Sequence, residues 1–217
     1  MATLTNQEWY KIFDDIKCDK HDHGYHHVYE DVFQKYDTET KDLRILEIGI
    51  CGGHSLIAWK AAFPNSFITG IDIEQHPEKW YHGMWVKKLR AHCKPEAYAD
   101  IQMIWGFDST HRGHCSRWRT HLGNPYNVII DDGDHCVSSQ IATFINFFPI
   151  CKDMYVIEDI VGQYQLDQLT RMIKSLRYNY EVHASHRYDT DEHKAEYGHT
   201  VKVYALKIYR NGNTDSK

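Results

Sequence analysis

The sequence lacks closely spaced cysteine pairs, long apolar runs and an excess of positive charge. Its six cysteines are scattered without a Cys-x-x-Cys motif, and a chain of 217 residues can fold without disulfides, so we expect reduced thiols. The net charge of −5 gives no general attraction to nucleic acid. The apolar runs are too short for a bilayer, and residues 1–17 have no signal-peptide core. We expect a soluble, cytoplasmic protein that binds neither nucleic acid nor membrane.

Internal repeats, low-complexity tracts and linker-like segments are also absent from the sequence. We therefore expect a helical segment over residues 1–40 and a single domain over residues 41–217. The 16 histidines include the stretch HDHGYHH at 21–27. Its spacing matches no tight zinc motif, so we expect a polar loop there and keep a zinc site as the alternative.

The pattern of apolar residues predicts an α/β fold. Helical spacing occurs over residues 6–17 and 27–36, and from residue 43 onward strands and helices alternate. The predicted strands cover 43–50, 66–73, 101–108, 127–132, 154–160, 180–188 and 200–209. The predicted helices between them cover 54–63, 78–93, 114–121, 137–148 and 166–177. Continuous apolar strands that alternate with helices indicate a mainly parallel sheet with helices on both faces.

Acidic side chains lie at the ends of five successive predicted strands. They are Glu47, Asp72, Asp108, the pair Asp131-Asp132 and the pair Glu158-Asp159. One acid at such a place can be a helix cap or a turn residue. In parallel α/β sheets, however, ligands bind beyond the carboxyl ends of the strands. Five acidic strand ends in succession therefore predict a functional site at that edge of the sheet.

The loop after the first predicted strand, LEIGICGGHS at 46–55, is rich in glycine. Glycine lets the backbone turn sharply and approach a ligand closely. A dinucleotide-binding fingerprint that starts at Gly49 would need glycines where Cys51 and His54 stand, and the loop has no P-loop lysine. The loop thus suits neither a pyrophosphate nor a triphosphate, which argues against an NAD-linked oxidoreductase.

The Glu47-x-Gly49 pair resembles motif I of the class I S-adenosylmethionine (SAM)-dependent methyltransferases. That family has a Rossmann-like fold, so the resemblance implies a seven-stranded, mainly parallel sheet whose last strand is antiparallel. It implies SAM as the cofactor, with Asp72 accepting from the ribose hydroxyls and Asp108-Ser109 near the adenine. The implied cofactor-binding residues after the first three strands are Glu47, Gly49, Gly53, Ser55, Asp72, Asp108 and Ser109.

Two further stretches, IIDDGDH at 129–135 and FPICKDMYVIEDI at 148–160, resemble the metal-dependent O-methyltransferases of macrolide sugars. These are the mycinamicin and macrocin enzymes, whose relatives include proteins named cephalosporin hydroxylases. An upstream element of the same family is similar to residues 19–29, so the resemblance spans about residues 17–165. The chain departs from the usual pattern at Cys51, His54, Asp134 and Lys152-Asp153.

This second resemblance implies roles for the remaining candidate residues. Asp132, Glu158 and Asp159 match the metal ligands, and His135 matches the general base, with Asp132 also catalytic. The upstream element gives the cofactor-binding candidates Lys20 and Tyr25, together with Tyr29, a cofactor or substrate role, with packing of a helix against the sheet as the alternative. Asp131 takes a structural or cofactor-side role. Three carboxylates are hard oxygen ligands that suit Mg²⁺ or Mn²⁺ rather than zinc.

The implied reaction is SAM- and metal-dependent methylation of a hydroxyl on a sugar or small glycosylated metabolite. A metal-bound hydroxyl loses its proton more easily, histidine can accept that proton near neutral pH, and a vicinal diol would chelate the metal. A SAM-binding regulator or partner subunit without transfer activity is the alternative from another class. A hydroxylase is less favoured, because no 2-His-1-carboxylate triad is evident. The relatives often associate, which leaves a homo-oligomer open.

Segments outside the motifs are expected to cover the site. Residues 1–40 would form a lid, and residues 41–217 the catalytic domain. The stretch 183–199 is a polar candidate for the acceptor pocket. Residues 74–98 are rich in aromatic side chains, which suit sugar rings but also ordinary packing, namely Trp80, Tyr81, Trp85 and Tyr98.

Overall fold

The structure is a computed structural model that describes residues 3–74, 91, 99–119, 125–185 and 202–210. Its helices are α1 (Asn6–Ile16), α2 (His26–Val32), α3 (His54–Ala62), α4 (Arg112–Arg119), α5 (Val137–Phe147) and α6 (Gly162–Ser175). Its strands are β1 (Arg44–Ile48), β2 (Phe67–Ile71), β3 (Ile101–Ile104), β4 (Tyr126–Asp131), β5 (Cys151–Val161), β6 (Tyr180–Ser185) and β7 (Val203–Tyr209). None of the described helices is long and apolar enough to cross a membrane.

The seven strands form one sheet in the order β3-β2-β1-β4-β5-β7-β6. The first five strands in this order pair in parallel, and β7 lies antiparallel between β5 and β6. Parallel neighbours need crossover connections, and α3 supplies the one between β1 and β2, as α5 does between β4 and β5. The predicted mainly parallel, seven-stranded sheet with an antiparallel last strand is confirmed.

Helices cover both faces of the sheet. Successive side chains of a strand point to opposite faces, and Ile45 and Leu46 of β1 belong to different core clusters. The cluster around Ile45 includes residues of α1, α2 and α3. The cluster around Leu46 includes residues of α5 and α6. The sheet is therefore buried on both sides, which explains its nearly continuous apolar strands.

The N-terminal helix α1 is locally specified and fixed to the core. Thr5 and Glu8 form a capping box at its start, and Lys17 ends it in the left-handed conformation. Trp9, Phe13 and Ile16 form its buried face at spacings of four and three residues. The Trp9 ring lies 5.9 Å from that of Trp59 on α3, so the segment before the sheet shares the core of the sheet.

Replacing Trp9 with alanine is expected to lower the free energy of unfolding by about 3–5 kcal/mol, because it leaves a large cavity in this core. Urea denaturation of the purified protein measures the change. Tyr10→Ala is the matched control, since Tyr10 is the next residue of the same helix and is 45% exposed. Equal losses in the two variants would contradict the packing role of Trp9.

Element boundaries differ from the predictions where turns or strand partners decide them. The strand predicted to reach residue 108 ends at Ile104, because Gly106 has a φ of 69° and donates its N–H to the Glu74 carbonyl. The helix predicted over 27–36 ends at Val32. Strand β5 extends beyond its predicted end because Val161 still pairs with β7. The predicted helix over 78–93 (residue 91 excepted), the aromatic side chains of 74–98, and 186–199 of the polar stretch lie outside the described residues.

Candidate active site

A cavity of about 660 Å³ lies at the carboxyl ends of β1, β2, β3 and β4. The loops after these strands and the segment over 17–23 line it, as expected for a parallel α/β sheet. The predicted site residues that line the cavity are Lys20, Gly49, Ser55, Asp72, Asp108, Ser109, Asp132, His135 and Asp159. The predicted site residues outside its lining are Tyr25, Glu47, Gly53, Asp131 and Glu158.

Gly49 brings the loop after β1 against the loop after β4. Its φ is 81°, and a Cβ there would lie 2.2 Å from the Asp132 carbonyl oxygen. The Gly49 N–H donates to the Ile71 carbonyl at 2.9 Å, and the Asp132 N–H donates to the Ile48 carbonyl at 2.9 Å. This position therefore requires glycine for both its backbone conformation and its close packing.

Gly49→Ala is expected to lower the free energy of unfolding by about 2–4 kcal/mol, the sum of a left-handed alanine and a backbone clash. Gly106→Ala is the matched control, because Gly106 has a φ of 69° but a Cβ there would meet no described atom within 4 Å beyond its chain neighbours. The control should lose only the conformational part, about 1–2 kcal/mol. Urea denaturation measures both, and equal losses would show that the contact with Asp132 is unimportant.

Asp72 stabilises the turn in the loop after β1. One carboxylate oxygen accepts from the N–H groups of Ile50 and Cys51 at 2.8 and 3.0 Å. The other accepts from the Glu74 N–H at 2.9 Å. Each carboxylate oxygen has two lone pairs, so these bonds leave room for the predicted ribose contact. The sequence analysis missed Glu74, which is exposed and lines the same cavity.

Asp108 and Ser109 lie on the cavity wall after β3. The Asp108 carboxylate accepts from the Thr110 hydroxyl at 2.6 Å and from the Thr110 N–H at 2.9 Å. The hydrogen bond from the hydroxyl holds the pKa of Asp108 below its usual value. The Ser109 hydroxyl lies 3.0 Å from that of Thr143 on α5. Both predicted adenine-side residues are thus fixed at the cavity.

Glu47 and Ser55 lie on either side of the loop between β1 and α3, and only Ser55 lines the cavity. The Glu47 side chain is fully buried, and one of its oxygens accepts from the Trp59 indole N–H at 2.8 Å. Burial raises the pKa of Glu47, although Lys20 beside it favours the carboxylate. Gly53 precedes α3 with a φ of 71°, and Ser55 lies in the first turn of that helix. Gly53 and Glu47 therefore adjoin the loop without lining the cavity.

A bulge in β5 places its two acids. The ladder between β4 and β5 ends where Asp131 pairs with Ile157, and the ladder with β7 is interrupted between Ile157 and Ile160. Asp159 has a φ of 50° at this point. Aspartate tolerates the left-handed region better than most residues, and bulges commonly redirect side chains at active sites. The bulge turns the Asp159 carboxylate towards the loop after β4.

Asp132, His135 and Asp159 form a compact group of donor atoms. One donor atom from each lies within 4.8 Å of the others. The His135 Nε2 is 3.8 Å from an Asp159 oxygen, and its Nδ1 is buried without a hydrogen-bond partner among the described residues. Two carboxylates beside an unsatisfied imidazole nitrogen suit a small divalent cation. The residues present therefore fit the Mg²⁺ or Mn²⁺ ion that the sequence predicts.

The predicted third ligand, Glu158, does not belong to this group of donor atoms. One of its oxygens lies 2.5 Å from the Lys20 ammonium, and the other accepts from the Tyr29 hydroxyl. Its metal ligation stays a prediction, because the structure gives both oxygens partners from the N-terminal segment. Tyr25 from the same segment donates to the Asp159 carboxylate at 2.6 Å and accepts from the Asp159 N–H at 3.0 Å. Tyr25 thus fixes the bulge from outside the cavity lining.

Asp131 is buried beneath the cavity and accepts from the Tyr155 hydroxyl at 3.2 Å. Burial raises the pKa of Asp131 to about 8. Two roles were expected for Asp131, a structural one and a cofactor-side one. Its burial fits the structural role, because a direct cofactor contact would need an open path to the cavity.

Asp131→Asn is expected to remove a pH dependence of stability. The folded protein keeps a proton on Asp131 between about pH 4 and pH 8 that the unfolded chain releases, so this contribution to stability is lost as the pH rises to about 8. The asparagine variant lacks this loss, and its stability relative to the wild type should rise over that interval and then level off. Urea denaturation at about pH 5, 7 and 9 measures it. A constant difference would contradict the burial of a protonated Asp131.

The fold has close counterparts among methyltransferases of known structure. It aligns with the MycE methyltransferase of the mycinamycin biosynthetic pathway in complex with Mg and SAH, with a TM-score of 0.63 and 21% identity over 96% of this chain and 57% of that chain. A precorrin-6y C5,15-methyltransferase from Geobacter metallireducens aligns with a TM-score of 0.50 at 14% identity, covering 86% of this chain and 89% of that one. The chain therefore has the Rossmann-like fold of the class I methyltransferases.

Sequence comparison finds similarity to O-methyltransferases over part of the chain. The chain is 30% identical to demethylmacrocin O-methyltransferase of Streptomyces fradiae over 145 residues, or 63% of this chain and 31% of that enzyme. It is 31% identical to mycinamicin VI 2''-O-methyltransferase of Micromonospora griseorubida over 137 residues, or 59% of this chain and 30% of that enzyme. The chain thus matches about a third of the length of these curated relatives. No protein-family model matches it. The resemblance predicted from the motifs is confirmed as a similarity.

Proposed function

We propose that the chain binds SAM and a divalent metal ion and transfers a methyl group to a hydroxyl of a sugar or small glycosylated metabolite. The observation that carries this proposal is the position of Asp132, His135 and Asp159 on the same cavity as the loop after β1. The similar proteins named above support it, since they are named as O-methyltransferases. One solved relative contains Mg, SAH and mycinamycin VI.

The loops after β1, β2 and β3 would bind SAM along the cavity wall. Gly49 and Cys51 would border the amino-acid end, Asp72 would accept from the ribose hydroxyls, and Ser109 would border the adenine. SAM supplies a methyl group on a positively charged sulfur. The acidic strand ends suit that charge, and the cofactor-binding roles of Lys20 and Tyr25 would be indirect, through the acids that they contact.

The loops after β4 and at the β5 bulge would bind the metal and the acceptor. Asp132 and Asp159 would hold the cation, with Glu158 as a further predicted ligand. A bound Mg²⁺ or Mn²⁺ ion would stabilise the negative charge that develops on the acceptor oxygen. His135 would accept the hydroxyl proton as that oxygen attacks the methyl carbon, and SAH, a neutral thioether, leaves. An acceptor with a vicinal diol would offer two oxygens to the metal.

The segment over residues 1–40 would cover the site as part of this arrangement. Lys20 contacts three of the acids at the site, and Tyr25 and Tyr29 each contact one. The segment therefore completes the site as well as shielding it, and residues 41–217 would carry the cofactor and the reacting groups.

Calorimetry with SAM, followed by an acceptor screen with glycosides that carry vicinal diols, tests the proposal. We expect SAM binding, and a methylated product in mass spectrometry that disappears when EDTA removes the metal. Absence of SAM binding would contradict the proposal entirely. SAM binding without transfer to any acceptor would favour the regulator or partner subunit, and transfer that survives EDTA would exclude the metal-dependent reaction.

A further inference from the structure

The Lys20 ammonium lies among carboxylates from three separate parts of the chain. Its Nζ is 2.5 Å from a Glu158 oxygen, 2.8 Å from an Asp132 oxygen and 3.3 Å from a Glu47 oxygen. The Lys20 side chain is 1% exposed, and Glu47 and Glu158 are equally buried. Carboxylates buried this deeply are strongly unfavourable unless a cation or hydrogen-bond donors compensate them. Lys20 supplies that compensation to all three.

The surrounding segment fixes Lys20 in this position. The Tyr25 N–H donates to the Lys20 carbonyl at 2.9 Å. At the β5 bulge, the Tyr25 hydroxyl donates to Asp159 and the Tyr29 hydroxyl donates to Glu158. The Lys20 ammonium is buried beneath this segment and cannot reach solvent without breaking its ion pairs with Asp132 and Glu158. Its charge is therefore a permanent part of the acid cluster.

Lys20 also connects β1, which precedes the glycine-rich loop, with the donor group of Asp132, His135 and Asp159. Glu47 belongs to β1, two residues before Gly49 of the loop after β1. Asp132 belongs at once to the ion pair with Lys20 and to the donor group with His135 and Asp159. One Asp132 oxygen is thus held by Lys20, which orients the carboxylate towards that group.

We propose that Lys20 is a positioning residue, the resident cation that holds Glu47, Asp132 and Glu158 together without metal and lowers the affinity of the neighbouring donor group for a divalent ion. The effect of Lys20 on metal affinity rests on the proposed function, whereas the effect of Lys20 on stability does not. Because Lys20 and the metal share Asp132, removing the positive charge should leave the acids more attractive to a second cation. It should also leave the metal-free protein less stable.

Lys20→Met in the full chain tests both consequences. In EDTA we expect a lower midpoint of thermal unfolding than in the wild type. By electron paramagnetic resonance of free Mn²⁺, without SAM, we expect Mn²⁺ to bind at least about tenfold more tightly than to the wild type. Lys20→Arg keeps the charge and should bind Mn²⁺ with wild-type affinity. A purely structural lysine would lower stability without changing Mn²⁺ affinity, and that result would overturn the proposal.

Lys60→Met is the matched control for losing a buried lysine. Lys60 is 1% exposed and pairs with Asp100 at 3.0 Å, outside the cavity lining. It should lower stability and leave Mn²⁺ affinity unchanged.

A second variant covers the case in which Lys20→Met does not fold. Lys20→Met combined with Glu47→Gln removes the cation together with one of its acids, so it should be more stable in EDTA than Lys20→Met alone. Strictly additive losses would overturn the proposal. If the wild type binds no Mn²⁺, the proposed metal function fails, and this comparison in EDTA still decides the role of Lys20.

Discussion

Replacing His135 with alanine is expected to lower kcat for methyl transfer about 10²- to 10⁴-fold, the usual contribution of a positioned general base. The side chain lies beside Asp159 on the cavity, and its buried Nδ1 has no hydrogen-bond partner in the part of the chain that the structure describes. The imidazole would thus stand on the cavity beside a hydroxyl bound there. The measurement is single-turnover methyl transfer to an acceptor found in the screen, with SAM and Mg²⁺ at saturating concentrations.

The same variant separates a base from a metal ligand, because the His135 nitrogen also lies within the donor group. If His135 is the base, Mn²⁺ affinity stays near the wild-type value while transfer is lost. A parallel loss of Mn²⁺ binding would assign His135 to the metal and contradict the proposed role. His114→Ala is the matched control, since His114 is exposed on α4 and does not line the cavity. It should retain wild-type transfer.

Local sequence patterns predicted the sheet well because its strands are buried on both faces. Each of the seven predicted strands corresponds to an observed one, and the succession of acidic strand ends located the edge where the cavity lies. Gly49 was also informative, because the need for glycine at this position follows from backbone conformation and backbone packing. These features depend on short stretches of chain, which a single sequence shows directly.

Contacts between distant parts of the chain could not be predicted from such patterns. Lys20 and Asp132 are 112 positions apart, and nothing in the local sequence of either indicates their ion pair. The resemblance implied a cofactor or substrate role for Lys20 and Tyr25, and no local pattern indicated that both contact acids at the site. The β5 bulge was equally hidden, because Asp159 adopts a positive φ without a glycine to signal it.

Replacing Asp132 with asparagine is expected to abolish Mn²⁺ binding at micromolar metal and to lower methyl transfer at least about 10²-fold. Asparagine keeps the shape of the side chain and removes the charge that a hard cation needs. Electron paramagnetic resonance of free Mn²⁺ and the transfer assay measure the two effects. Asp134→Asn is the matched control, because Asp134 lies in the same loop but accepts from the Cys136 N–H and the Ser139 hydroxyl at the start of α5. Loss of Mn²⁺ binding in the control would show a general effect of charge in the loop.

Asp159→Asn should produce a loss of similar size, although Asp159 lies on a different strand. Asparagine tolerates the left-handed backbone at this position, and its carbonyl oxygen can still accept from Tyr25, so the bulge should persist. If Asp132 and Asp159 hold one ion, the double variant should be hardly worse than either single variant, because groups that act as a unit lose their function together. Losses that multiply in the double variant would instead indicate that the two carboxylates act independently, and the shared metal site would have to be abandoned.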